Sequence, residues 1–323
     1  MVVLVTGATG FIGRHLIPKL LEQHASIRVV TRDPRRLPVE WRGLVEVVVG
    51  SLTELRVQAA ATKGVGLIYN LAAELRDSSL MRAINAEAVR GLMEQAAQAG
   101  VRRVVHLSSV GVIGAKGAGV VTEGTPCRPR SLYEQTKLDG ERIVQEYARS
   151  REIEGVILRP TIVFGDRKEG EGDSLLSWLR VVRRERFVFF GKHGVANYIY
   201  VGDVVESLLR LSETPVSGTA VYIAADPVPM VEFVRAMAQV LGVPAPSRRL
   251  PLWAAYALGA IGQIFNRMFG MSAPLTLPRV RALSSKTIFS GDRLLMELGA
   301  PFPYGYQRGL DLTVQWYRSV GQL

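Results

Sequence analysis

The sequence predicts an α/β fold, a doubly wound parallel sheet with a smaller, discontinuous C-terminal domain. Three observations carry that prediction. A continuous apolar run, residues 2–5, leads straight into a glycine-rich turn and then a helical pattern. Strand-like apolar runs and helical stretches keep alternating after it, as in a parallel sheet covered on both faces. The chain has 323 residues, 48% hydrophobic and 21% charged, enough for a substantial core in one large or two smaller domains.

The first strand runs into Thr6-Gly-Ala-Thr-Gly-Phe-Ile-Gly13 and a helical pattern from Arg14. Gly7 permits a tight turn, Gly10 lets the backbone approach a pyrophosphate, and Gly13 lets the helix close on the strand. Dinucleotide phosphates would face the free amides at the helix start. Gly7, Thr9, Gly10, Phe11, Ile12 and Gly13 are therefore cofactor-binding candidates. Pro18 is expected to kink this helix or cost it a hydrogen bond. The second strand, 27–31, ends at Arg32-Asp33. An acid there suits the ribose hydroxyls of NAD and an arginine suits a 2′-phosphate, so Arg32 favours NADP(H) over NAD(H).

The third strand, 45–49, leads into Gly50-Ser51-Leu52, and the fourth, 67–73, ends in Leu71-Ala72-Ala73. A helix from Met81 through Asn85 to Ala99 precedes a fifth strand, 101–109. That strand ends in Ser108 and Ser109, at the carboxyl edge where such sheets bind ligands. Next comes Ser131-Leu-Tyr-Glu-Gln-Thr-Lys137, in which Ser131 and Glu134 have capping-box spacing. Tyr133 and Lys137, four apart, then share one helix face. A phenol near pKa 10 is a poor proton shuttle, and a neighbouring ammonium would pull it toward neutrality.

The net charge of +11 admits nucleic acid, an anionic membrane or anionic ligands as partners. The arginines are scattered and no nucleic-acid module accompanies them, so no nucleic-acid partner is expected. A single cysteine, Cys127, rules out an internal disulfide and points to a reducing, cytoplasmic setting. No signal peptide is expected from the opening residues. The four histidines lack ligand spacing, so no metal is expected.

Taken together, the glycine motif, Leu71-Ala-Ala73, Asn85, the 107–114 segment, Tyr133-x-x-x-Lys137 and Leu158-Arg-Pro-Thr-Ile-Val-Phe-Gly165 resemble the extended short-chain dehydrogenase/reductase family. This is the NAD-dependent epimerase/dehydratase group, which is built on a Rossmann domain. The motifs fall in the family's order over the first half of the chain, and Tyr198-Ile-Tyr-Val-Gly-Asp-Val205 resembles a later segment. The resemblance implies Ser109 as the hydroxyl on the substrate oxygen and Tyr133 as general acid/base. It implies Lys137 as the lysine that lowers the tyrosine pKa and grips the nicotinamide ribose, and Asn85 as a relay asparagine. Ser51, Leu52, Leu71, Ala72, Ala73 and Pro160 fall at cofactor-lining places. Ser51 replaces the family's usual aspartate near the adenine. Nucleotide-sugar enzymes of this kind carry an arginine where Ala196 stands, which weakens that reading, although Arg279 or Arg281 would be substitutes.

Residues 1–165 and 195–225 are assigned to the dinucleotide-binding domain, and 166–194 and 226–323 to the substrate domain. The 166–173 stretch reads as a loop and 180–186 as a basic helix. Residues 250–265 carry no charge and are too short to span a bilayer. They read first as a core helix and second as a helix at an interface, which leaves peripheral membrane contact through 250–270 open. Similar apolar segments occur in the 3β-hydroxysteroid dehydrogenase-like and dihydroflavonol reductase-like branches, where they line pockets for apolar, ring-containing substrates. The expected activity is hydride transfer between NAD(P) and a carbonyl or alcohol carbon of such a small molecule. A nucleotide-sugar epimerase or dehydratase, and a non-catalytic dinucleotide-binding subunit or redox sensor, are the alternatives. Homodimerisation, common in the family, stays open.

Overall fold

The computed structural model describes residues 1–23, 26–114, 117–150, 153–167, 174–191, 194–269 and 275–323. Seven parallel strands form the central sheet. They are β1 (Val2–Thr6), β2 (Ser26–Thr31), β3 (Val45–Val49), β4 (Val65–Asn70), β5 (Arg103–Leu107), β6 (Glu154–Pro160) and β7 (Thr219–Ala224). Their spatial order is β7-β6-β5-β4-β1-β2-β3. The order reverses between β1 and β4, which opens a crevice at their carboxyl ends.

Alternation along β1 explains the double winding. Val3 and Val5 face one side, against Leu16, Ile17 and Leu20 of helix Phe11–Glu22 and Val204 and Leu208 of helix Val201–Glu213. Leu4 faces the other, against Val89, Leu92 and Met93 of helix Ala88–Gln98 and Ile143 and Val144 of helix Leu132–Ser150. Pro18 sits inside the uninterrupted helix Phe11–Glu22 and, having no N–H, leaves the Arg14 carbonyl without the main-chain bond another residue would donate. The helix expected around 81–99 runs unbroken over residues 78–98, with one wider, π-helical turn at Ala83–Glu87. Asn85 lies on the π-turn.

A second lobe is built on a three-stranded sheet. Its central strand, Val195–Tyr200, runs parallel to Ile162–Phe164 and antiparallel to Asp226–Pro229. Thus 162–164 and 195–200, grouped by sequence with the dinucleotide-binding part, pair outside the main sheet. Phe164, Tyr198 and Phe233 centre its aromatic core, with Tyr198 and Phe233 stacked at 4.9 Å and 16°. Helices Ser174–Arg183, Met230–Leu241 and Gly305–Ser319 close it. The stretch 168–173, read as a loop, lies outside the described residues. Later chain returns to the first lobe: Lys286–Phe289 pairs with Ala118–Val121, and Leu294 is buried in the main core. The buried Asp203 carboxylate joins the lobes' helices by accepting the Tyr304 and Gly305 N–H groups, each at 3.0 Å. Of residues 250–265, favoured as a core helix, Leu250 ends the short strand Arg249–Leu250, and 252–265 belong to helix Leu252–Phe269, whose outward side is exposed.

Candidate active site

The site is built at the carboxyl ends of β1, β4 and β5. Gly7 has φ of +68°, and a Cβ there would lie 2.7 Å from the Ala72 nitrogen, so conformation and space both exclude a side chain. At Gly13 a Cβ would meet the Gly7 carbonyl at 2.4 Å, which fixes how closely the helix approaches the strand. Gly10 differs. A Cβ there would meet only the Gly7 oxygen, at 3.1 Å, and the residue is exposed at the lip of the turn. The space this glycine keeps open therefore faces outward, before a helix start with neither a side-chain cap nor an acidic residue in its first turn. Such an end favours phosphate.

Ser131 and Glu134 close the capping box. The Ser131 Oγ accepts from the Glu134 N–H at 3.2 Å, and the Glu134 carboxylate accepts from the Ser131 N–H at 3.1 Å. Leu132–Ser150 therefore begins where the spacing predicts, with Tyr133 in its first turn. The Tyr133 phenol comes close to the Ser109 hydroxyl, which accepts from the Gly111 N–H at 3.1 Å. Its neighbour Ser108 is 4% exposed and turned inward, so of the two serines Ser109 meets the phenol.

Lys137 is 2% exposed, and its Nζ donates to the Leu107 carbonyl at 2.6 Å. Burial pushes the ammonium down to about 8, and the Glu141 carboxylate opposes the shift. Burial pushes Tyr133 up from its ordinary value, and the Ser109 hydroxyl works in the opposite direction. Lys137 is thus anchored at the end of β5, one helical turn below the phenol. A lysine disfavoured as a cation in the fold carries a stability penalty, full below about pH 8 and relieved as pH rises toward 10.5, its ordinary value. The stability of wild type relative to Lys137→Met should therefore rise across that window, as urea denaturation against pH would show. A flat difference would reject the burial of a charge there.

Asn85 is fully buried and committed. Its Oδ1 accepts from the Glu74 N–H at 2.8 Å, and its Nδ2 donates to the Glu74 carbonyl at 2.9 Å and to Thr136 Oγ1 at 3.1 Å. The side chain ties the loop after β4 to the tyrosine helix, against which its main chain also packs. That main chain is close by: a Cβ on Gly140 would lie 2.5 Å from the Asn85 carbonyl. Thr136 and Gly140 were missed from sequence, because their partners lie far away along the chain.

So was a polar ladder beneath the site. Thr6 Oγ1 accepts from the Ala72 N–H at 3.2 Å and donates to Asn70 Oδ1 at 2.7 Å. Asn70 Nδ2 lies 3.0 Å from His106 Nδ1. Burial, with Lys137 nearby, holds His106 well below its ordinary pKa. The ring is thus neutral, with Nδ1 accepting and the proton on Nε2. The ladder locks three strand ends together at the crevice.

The remaining candidates lie around this centre. Leu71 is buried, and Ala72 and Ala73 line the strand end opposite Gly7. Pro160 ends β6. Thr9 and Ile12 are half-buried in the glycine turn and the first helical turn. Phe11 turns its ring toward the second lobe, under the Arg167 guanidinium at 3.9 Å. The Ser51 hydroxyl pairs with Thr53 Oγ1 at 2.8 Å, and the Leu52 carbonyl accepts from Gln58. Arg32 is exposed, whereas the Asp33 carboxylate is held by the Arg35 N–H at 3.0 Å and its Nε at 2.9 Å. The open cradle at Gly10, the uncapped helix start and the buried lysine fit a nicotinamide dinucleotide.

Comparison with known proteins agrees. The profile of the NAD dependent epimerase/dehydratase family matches residues 3–224. The chain is 28% identical to a Caulobacter vibrioides protein named ceramide reductase, across 100% of this chain and 96% of that one. It is 26% identical to the Escherichia coli O157:H7 N-acetyl-alpha-D-glucosaminyl-diphospho-ditrans,octacis-undecaprenol 4-epimerase, covering 97% of this chain and 94% of the other. The solved structure of MoeE5 in complex with UDP-glucuronic acid and NAD is 27% identical with a TM-score of 0.75. It covers 99% of this chain and 100% of that chain.

Proposed function

Because the chain belongs to the NAD-dependent epimerase/dehydratase family, we propose that it is an NAD(P)-dependent oxidoreductase acting on a carbonyl or alcohol carbon of a small, apolar, ring-containing molecule. The observation that carries this reading is the approach of the Tyr133 phenol to the Ser109 hydroxyl at the carboxyl end of β5, beside the buried Lys137. The bound nicotinamide supplies or accepts the hydride. The chain's own groups handle the proton and the oxygen. Ser109 holds the substrate oxygen against the phenol, anchored itself by the Gly111 N–H. Tyr133 keeps its proton at neutral pH, because burial raises its pKa, and is ready to donate it to a reduced oxygen. Lys137 supplies positive charge below this pair. Gly7, Gly10 and Gly13 with the Phe11 and Ile12 amides receive the pyrophosphate. The second lobe, 166–194 and 226–323, takes the substrate.

Arg32 points this reading to NADP(H). The neighbouring Asp33 is neutralised within its own turn by Arg35, which pulls its carboxyl below the usual range and leaves Arg32 exposed. Arg32→Ala should weaken NADPH by about tenfold or more while NADH changes little, because one charge-assisted phosphate contact is lost. Fluorescence titration measures both, and a wild type that binds NADH more tightly than NADPH would reject the preference.

Turnover with NADPH and NADH across a panel of ketones and secondary alcohols tests the activity itself. A nucleotide-sugar epimerase would interconvert sugars without net change in nicotinamide absorbance. The 1% exposed Ala196, in place of an arginine, disfavours that outcome. Binding without any turnover would leave a dinucleotide-binding subunit.

A further inference from the structure

The helix Leu252–Phe269 presents an apolar side to solvent. Ala255 and Gly259 face inward, where helix Leu277–Leu283 crosses closely. A Cβ on Gly259 would come within 3.1 Å of Val280 Cγ2 and 3.2 Å of the Leu277 nitrogen. Outward, Trp253 is 76% exposed, Ile261 63%, Ile264 60% and Leu258 49%. Positions 253, 257, 261 and 264 follow the three-to-four spacing of one helical stripe. Single exposed apolar side chains are ordinary, but Trp253, Ile261 and Ile264 aligned on one stripe, with only Ala257 between them, mark a contact site.

Charge indicates the partner. Between Glu232 and Asp292 the chain has no carboxylate and seven basic residues. Arg248 and Arg249 immediately precede the helix, and Arg281 on the crossing helix is exposed. A second copy of this chain would set that basic segment against its own like charge. A purely ionic partner would make no use of Trp253, Ile261 and Ile264. A surface that is apolar beneath an anionic layer satisfies both halves.

We propose that this face docks on an anionic lipid bilayer. The apolar stripe enters the boundary between headgroups and acyl chains, Trp253 sits at that level, and the arginines meet the headgroups. The helix lies along the surface: no helix among the described residues is long and apolar enough to cross a membrane.

Flotation of the full chain with vesicles of phosphatidylcholine alone, or phosphatidylcholine mixed with phosphatidylglycerol, tests this. Binding should be about tenfold or more tighter to the mixed vesicles and should weaken with salt. Ile261→Glu combined with Ile264→Glu should weaken it by about tenfold or more, through lost apolar contact and added repulsion. Arg248→Glu combined with Arg281→Glu should have an effect of similar size. Trp253→Phe should retain binding. Unchanged thermal midpoints exclude unfolding as the cause. If the isoleucine pair shifts its midpoint, the arginine pair decides. No binding to mixed vesicles, equal binding to both compositions, or variants that bind like wild type would overturn the proposal. So would a wild-type dimer that the isoleucine substitutions split, which would assign the face to a second copy.

Discussion

Tyr133→Phe is expected to lower turnover by about two orders of magnitude or more, through loss of the group that exchanges the proton. The substitution keeps the ring and its packing and removes only the hydroxyl that meets Ser109. Because the proton moves in the transition state and not on binding, kcat and kcat/KM should fall together. Cofactor affinity should stay close to wild type, since the glycine turn at Gly7, Gly10 and Gly13 belongs to β1 and its helix. Steady-state kinetics with a nicotinamide titration separates the two effects. Undiminished turnover in the variant would remove the phenol from the chemistry, and an equal loss of cofactor binding would recast it as a binding residue.

The second large effect is on stability. Glu141 lies one turn beyond Lys137 and is 1% exposed. Arg159 on β6 donates to its two carboxylate oxygens, Nε at 2.9 Å and Nη2 at 2.6 Å. The pair fastens the tyrosine helix to the sheet beneath the site. Glu141→Gln leaves the Arg159 charge buried without its counter-ion, which should cost about 3–5 kcal/mol. Urea denaturation would show it as a lower midpoint at unchanged slope. Replacing both partners, Glu141→Leu with Arg159→Met, should recover most of the loss, because no unpaired charge remains. A Glu141→Gln variant within about 1 kcal/mol of wild type would show that water or Cys127, whose Sγ lies 3.4 Å from Arg159 Nη2, takes over.

Much of the frame was legible because its signals are local. The strand–glycine–helix order, the capping box at Ser131 and the four-residue step from Tyr133 to Lys137 all act within a turn or two of chain. The third strand, Val45–Val49, has the expected bounds. Misses arose where distant residues decide. The wider π-helical turn at Ala83–Glu87 carries Asn85, whose partners Glu74 and Thr136 its own neighbourhood does not encode. Pairing of Val195–Tyr200 with Ile162–Phe164 depends on where the chain returns, and apolar content alone does not reveal it. The uncharged 250–265 stretch is equally apolar whether it faces a core or solvent, so its orientation waited for the crossing helix at Gly259.

By itself the sequence determined the fold class, the glycine turn for a dinucleotide and the residue types available for proton transfer, because backbone geometry and helical spacing are short-range properties. Tertiary structure alone decided that Ser109 and not Ser108 approaches the phenol, and that Lys137 is buried against the Leu107 carbonyl. It also set the direction of both pKa shifts. Burial and charge pairing depend on what the rest of the chain brings within a few ångströms, and that environment exists only after folding.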